Sequence, residues 1–253
     1  SNNDIGPAGA SVLLQGLRKC RELEELNLAR NKLGLGAGGL RGFGEGLSGC
    51  SNLRRLQLDN NCISSQGAEE IAGGLALCSL LCSLELRCNF LGMEGVRALC
   101  SSLRCLTRLA KLDLTRNSSK TSTVGGEGAG FVVAGASGTL KVLHLSENSL
   151  DEEGAKKLAS HLHMLEGLEY LTLNDNEFKA KGIKELSPGL RACASLTHLE
   201  LMNNAMSSLG VDALVSSLRC TSNLRVLNLR NNNLGRKGGE CLGAALPCWP
   251  FLT

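Results

Sequence analysis

Two histidines, a tyrosine and a glutamate could do acid/base chemistry if the fold brought them together. His198 and Glu200 are two residues apart, and His144 and Tyr170 precede them. Imidazole and carboxylate can exchange a proton within hydrogen-bond reach, and a phenol can supply a third polar hydrogen. Met202 adds a soft, polarisable side chain beside them. A second set is ionic: Arg55, Asp59, Glu85, Arg87, Lys111 and Asp113, with Arg230 further on. Arg, Tyr and Met are enriched at the centres of protein interfaces. The chain also carries 12 cysteines. They form no Cys-x-x-Cys pair, and their spacings do not fit zinc ligation. No metal or cofactor site is therefore expected.

What positions these residues is a repeat. Leu140, Leu143, Leu145, Asn148 and Leu150 spell L-x-x-L-x-L-x-x-N-x-L, followed by Gly154 and apolar residues at Ala155, Leu158 and Leu162. The Asn recurs at 3, 31, 61, 89, 117, 148, 176, 204 and 232. A fixed period of this size marks a solenoid. Leucines two apart, such as Leu56 and Leu58, follow the strand period, and those after the Asn follow the helical one. Successive strands joined by helices must be parallel. Strands stack roughly 4.8 Å apart, whereas packed helices need roughly 8–10 Å. The array must therefore curve with its strands on the concave side. Asn31, Asn61, Asn89, Asn117, Asn148, Asn176, Asn204 and Asn232 are expected to form a structural ladder, bonding the backbone where it leaves each strand.

With its unit Leu84-Glu-Leu-Arg-Cys-Asn89-Phe-Leu-Gly-Met-Glu-Gly95, the sequence resembles the ribonuclease-inhibitor type of leucine-rich repeat over essentially its whole length. The resemblance implies an α/β horseshoe that binds other proteins, with parallel strands on the concave face and helices on the convex face. Members of that class include ribonuclease inhibitor, the sensing arms of NOD-like receptors and Ran GTPase-activating proteins. Residues 1–253 read as one domain of about nine 28-residue units, continuing a longer array.

Departures from the period carry their own expectations. Gly34, Gly36, Gly38, Gly39, Gly42, Gly44, Gly46 and Gly49 should weaken the helix between Asn31 and Asn61. The unit at 117–139 is longer and irregular. It loses the apolar residue two after Asn117, and its Ser/Thr/Gly loop should bulge from the rim before a poor helix over 128–136. Pro188 should shorten the helix that starts near Gly182. Gly67, Gly95, Gly154, Gly182, Gly210 and Gly238, each six after its Asn, should begin helices or let backbone approach closely. Cys20, Cys50, Cys78, Cys105, Cys193 and Cys220 recur at the helix-to-strand corner as small buried hydrophobes. Free thiols of this kind suit a reducing, cytoplasmic setting.

Net charge is only +3 and aromatics are 3 %, which speaks against nucleic-acid binding. The apolar run 71–84 is too short to span a bilayer. Catalysis by the His/Tyr/Glu group is disfavoured, because an open sheet neither encloses a small-molecule substrate nor desolvates it. The expected function is a non-enzymatic scaffold for a protein partner. The concave residues Arg55, Asp59, Glu85, Arg87, Lys111, Asp113, His144, Tyr170, His198, Glu200, Met202 and Arg230 are the candidate binding surface. Two other readings follow from the resemblance: a ligand-sensing arm of a NOD-like receptor, and a Ran-type GTPase activator.

Overall fold

A computed structural model describes residues 1–36, 38, 40–119, 122–136 and 138–253. Strand and helix alternate through the array. The strands are β1 (Glu25–Asn27), β2 (Arg55–Gln57), β3 (Ser83–Glu85), β4 (Lys111–Asp113), β5 (Val142–His144), β6 (Tyr170–Thr172), β7 (His198–Glu200) and β8 (Val226–Asn228). The helices are α1 (Gly6–Leu17), α2 (Phe43–Leu47), α3 (Ser65–Leu75), α4 (Gly92–Leu103), α5 (Gly125–Gly135), α6 (Glu152–Leu162), α7 (Lys179–Arg191), α8 (Ser207–Leu218) and α9 (Gly235–Ala245). Among the described residues, β1 to β8 form one open parallel sheet in sequence order. Its register pairs each leucine with the leucine of the next unit, as in Leu56↔Leu84 and Leu171↔Leu199. One continuous core lies between the sheet and the helix layer.

Each of β2 to β7 contributes one fully buried leucine flanked by residues on the opposite, open face, while Leu26 of β1 and Leu227 of β8 are partly buried. Each helix returns residues of its inner stripe to the same core: Ile71 and Leu75 in α3, Leu158 and Leu162 in α6, Leu214 and Leu218 in α8. Burial of this kind contributes roughly 1.5–3 kcal/mol per side chain, offset by the cost of ordering the chain. Side-chain caps start two helices. Ser64 accepts from the Gly67 N–H and Asp151 from the Gly154 N–H.

The recurring asparagines from Asn31 to Asn232 are buried, and Asn3 is exposed. Asn148 is typical: its amide donates to the carbonyls of Leu114 (2.9 Å) and Leu145 (3.2 Å), and its oxygen accepts from the Asn117 N–H (2.9 Å). Two members differ. The side-chain oxygens of Asn117 and Asn204 are buried with no hydrogen-bond donor. In the units just before them, the chain takes another path. The residue after the Asn is left-handed at Lys32, Cys62, Ser149 and Ala205, but Phe90 and Glu177 are not in that region. Their N–H groups bond back to the carbonyls of Ile63 and Leu150 instead.

The glycines six after the Asn lie on the buried face of the first helical turn. A Cβ on Gly95 would stand 3.1 Å from the Ser65 backbone, and one on Gly182 would stand 3.3 Å from that of Glu152. They let one helix start lean on the next.

The glycine-rich unit yields only five helical residues, Phe43–Leu47, capped by Gly42 at φ 79°. Of its glycines, Gly39 lies outside the described residues.

Several expectations are corrected. Pro188 does not shorten its helix: α7 runs 13 residues through it. Pro188 and Lys184 both face solvent, so the carbonyl that loses its donor can be hydrated. Ser187 also folds its hydroxyl onto the Ile183 carbonyl at 2.7 Å. The apolar residue missing two after Asn117, where Ser119 stands, is replaced further along the unit. Val124, buried at 1 % exposure, precedes α5 as Leu91 precedes α4. The Gly92 and Gly125 N–H groups bond the next Asn carbonyl in the same way, to Asn117 and Asn148. The helix there is not poor. It spans 11 residues, Gly125–Gly135, with Ala136 as an extended cap, because burial of Ala129, Val132 and Val133 overrides glycine's weak propensity. In the loop, Ser118 bonds the Asn148 carbonyl and the Val124 N–H. The expected bulge falls on 120 and 121, which lie outside the described residues.

The corner cysteines split. Cys50, Cys78 and Cys193 are fully buried, but Cys20, Cys105 and Cys220 are exposed. At Cys105 and Cys220 a shift of one residue gives the buried corner to Leu106 and Thr221. Trp249 fills the equivalent corner beyond α9, and its indole N–H donates to the Leu218 carbonyl at 2.9 Å.

Candidate functional site

Because the strands stack in register, residues 28 apart become lateral neighbours on the open sheet face. Three rings stack across β5, β6 and β7. Tyr170 and His198 lie nearly parallel with centroids 4.6 Å apart, and His144 meets Tyr170 edge-on at 5.6 Å. Tyr170 is thus half-buried rather than exposed as a lone tyrosine on a rigid strand would be, because its neighbours' rings cover it. Its hydroxyl donates to Glu200 Oε1 at 3.0 Å, and the Asn174 amide donates to Glu200 Oε2 at 2.7 Å. Burial, then the bond and charge of Glu200, push the Tyr170 hydroxyl above its ordinary pKa.

Behind the rings runs a chain of hydrogen bonds. The Asn174 N–H donates to Ser146 Oγ (3.0 Å), which donates to Thr172 Oγ1 (3.2 Å), which lies 3.0 Å from His144 Nδ1. The imidazole tautomer sets which of Thr172 Oγ1 and His144 Nδ1 donates in that last bond. Desolvation lowers the His144 pKa, opposed by the Asp113 charge, assisted by Lys111, and opposed again by Glu200 and Glu85. A neutral ring fits that bonding pattern.

The ionic set is arranged differently. Arg55 pairs with Glu25 at 2.7 Å. Lys111 pairs with Glu85 at 3.0 Å. Desolvation pushes the Glu85 carboxyl up, but the bond and charge of Lys111, with Gln57 and Ser83, hold it below the usual range. Asp59 accepts from the Arg87 backbone N–H at 2.7 Å. Its pKa is raised by burial, against that bond, and by the charges of Asp113 and Glu85. Asp113 accepts from the Thr115 N–H at 2.9 Å. These two carboxylates therefore hold backbone as well as facing outward.

Members of both sets line one open depression of about 380 Å³. Arg87, Asp113, His144, Glu200 and Met202 of the expected residues line it. Tyr170 borders it through its bond to Glu200. Asp59, Glu85, Lys111 and His198 are not in its lining, and Arg55 and Arg230 lie outside it too, on β2 and beyond β8. Sequence reasoning did not single out Ser146, Thr172 and Asn174, which tie the rings together, or Glu147 and Asp175 on the lip. A usable signal existed. The residues before the later Asn positions form a polar column on the rim, and Arg116, Glu147, Asp175, Asn203 and Asn231 share left-handed φ near 55° there.

Among the described residues, no group of His, Cys, Asp and Glu is arranged to hold a metal ion. No described helix is long and apolar enough to cross a membrane. The arrangement offers fixed hydrogen-bond acceptors, an aromatic platform and side chains held on short strands.

A family model described as Leucine Rich repeat matches residues 49–72, 137–159, 192–215 and 222–243. No curated protein sequence matches the chain. Each matched stretch spans a corner, a strand, its Asn and the start of the next helix, the unit that the sheet register repeats. The chain carries leucine-rich repeats and folds as an open solenoid of parallel strands alternating with helices.

Proposed function

We propose that the protein is a non-enzymatic interaction scaffold that binds a protein partner through the concave sheet face. Leucine-rich repeats generally mediate protein–protein interaction. The observation that carries the choice of face is the depression between β4 and β7, whose walls are pre-set by hydrogen bonds among Tyr170, Asn174, Glu200, Ser146 and Thr172. Side chains already fixed lose little entropy on binding. The site is open and shallow, which suits a protein surface better than a small substrate. The period near 28 residues supports the ribonuclease-inhibitor type of unit. The 12 free cysteines support a reducing, cytoplasmic setting.

The test is a paired affinity capture from native extract with the chain and its Arg87→Glu/Tyr170→Arg variant, read by mass spectrometry, with circular dichroism as the folding control. A stoichiometric protein retained by the first and lost by the second supports the reading. Equal retention by both places binding elsewhere and refutes it.

A further inference from the structure

The charges around the depression do not balance from within. On the β1–β4 side, acidic residues meet basic ones across strands, as Arg55 meets Glu25 and Lys111 meets Glu85. Towards β7 the pattern changes. Glu200 is held by two neutral donors, Tyr170 and Asn174. Asp175 is held by the neutral amide of Asn203 at 2.6 Å, and Asp113 by the Thr115 N–H. Among the described residues, none of these three carboxylates has an ion-pair partner. A fourth acid on the lip, Glu147, is paired with Arg116 at 3.6 Å. Arg87 is the one cation in the described lining, against Asp113, Asp175 and Glu200. Burial lowers the His144 pKa, which works against a positive charge there at neutral pH.

We infer that this depression receives a basic segment of a protein partner, with an arginine or lysine side chain set among Asp113, Asp175 and Glu200 beside the His144–Tyr170–His198 rings. The inference rests on the concave-face reading above and specifies its partner. Three features favour a cation. The carboxylates converge on one concavity and are oriented by neutral donors, so their charge is undiminished. The neighbouring rings offer π faces and edges, on which a guanidinium stacks well. Charge complementarity of this kind steers association and selects partners.

The probe is a fluorescein-labelled nonapeptide of alternating arginine and glycine, with a glutamate-for-arginine peptide of the same length as comparison. Binding is followed by fluorescence anisotropy at low and moderate ionic strength. The expected result is saturable binding of the arginine peptide alone, weakened by salt. Glu200→Gln and Asp113→Asn should each weaken it about fivefold, the scale of one partly exposed ion pair. Glu69→Gln, which removes the same charge from an exposed site on α3, should leave it unchanged. Absence of saturable binding overturns the inference, as does an equal loss with Glu69→Gln, which would show attraction to net charge only. The two readings fail separately. If the captured partner is lost with Arg87→Glu/Tyr170→Arg yet keeps its affinity for Glu200→Gln and Asp113→Asn, the scaffold reading stands and the basic-segment inference falls.

Discussion

Two asparagines in equivalent places should differ sharply when removed. The Asn176 amide donates to the carbonyls of Leu145 (3.2 Å), Leu173 (3.0 Å) and Asn174 (3.3 Å). The Asn204 amide does the same to Leu173 (2.9 Å), Leu201 (3.0 Å) and Met202 (3.1 Å). Their donor sides are matched, but their acceptor sides are not. Asn176 Oδ1 accepts from the N–H groups of Asn148 (3.1 Å) and Leu150 (3.0 Å). Asn204 Oδ1 accepts from none and is buried. Asn176→Ala therefore strands two further buried N–H groups, each at about 1–3 kcal/mol. Asn204→Ala removes an oxygen that already bears a desolvation cost, which offsets part of its damage. The first variant should be less stable than the second by about 2–6 kcal/mol. Equilibrium urea unfolding followed by circular dichroism measures the difference. A repeat array can open in segments, so hydrogen exchange of the Asn148 and Leu150 amides gives the local readout. Those amides should lose protection in Asn176→Ala and keep it in Asn204→Ala. Equal stabilities within about 0.5 kcal/mol, or protection lost in both, would refute the assignment of separate roles to the two positions.

Two other predictions follow from packing and from charge. Gly73 and Gly74 are adjacent in α3, but a Cβ on Gly73 meets nothing within 4 Å while one on Gly74 collides with the Gly44 carbonyl. Gly73→Ala should stabilise by up to about 1 kcal/mol, and Gly74→Ala should destabilise by forcing α2 from α3. Thermal melts of the two variants with opposite signs would bear this out, and a shared sign would not. For His144, the folded pKa lies below the unfolded value, so the native state binds fewer protons between the two. Its contribution is complete above the unfolded value near 6.5 and is lost as pH falls towards the folded one. The slope there is at most about 1.4 kcal/mol per pH unit. His144→Gln should flatten that part of the stability–pH curve, and an unchanged slope would exclude His144 as its source.

Most of the architecture was legible because one interval governs both halves of the unit. The strand period at Leu56 and Leu58 and the helical period at Ile183, Leu186 and Leu190 recur at a fixed distance from each Asn, so one well-read unit stands for all. The insertion after Asn117 was legible too, had two markers been followed together. Val124 stands seven after its Asn where Leu91 stands two after its own, and Gly128 and Gly95 show the same offset of five. Pro188 misled because helix-breaking depends on which side faces water, and a residue type does not carry that. The corner thiols misled because a shift of one position in the last helical turn exchanges buried for exposed at Cys105 and Cys220. The missing donors at Asn117 and Asn204 accompany another backbone path in the preceding turn, at Phe90 and Glu177, and no side chain there announces it.

The candidate site was harder to read, and register explains why. Residues four before each Asn form one lateral column on the sheet: Asn27, Gln57, Glu85, Asp113, His144, Thr172, Glu200 and Asn228. Strands in such a sheet are about 4.8 Å apart, so Glu85 and Asp113 stand as like charges side by side, an arrangement that costs stability unless a cation intervenes. Lys111 meets that need for Glu85 alone. Burial first, and then the charges of Asp113 and Glu85, raise the Asp59 pKa against its bond from the Arg87 N–H. Individually each of these residues is an ordinary polar position on a strand. Stacking by 28 turns them into a field, and the field remains uncompensated where Asp113, Asp175 and Glu200 meet. The fold can tolerate that repulsion because the array is held by its leucine core and asparagine ladder. A cation brought by a partner would relieve it, so the repulsion that stacking creates on this face also favours the basic segment inferred for it.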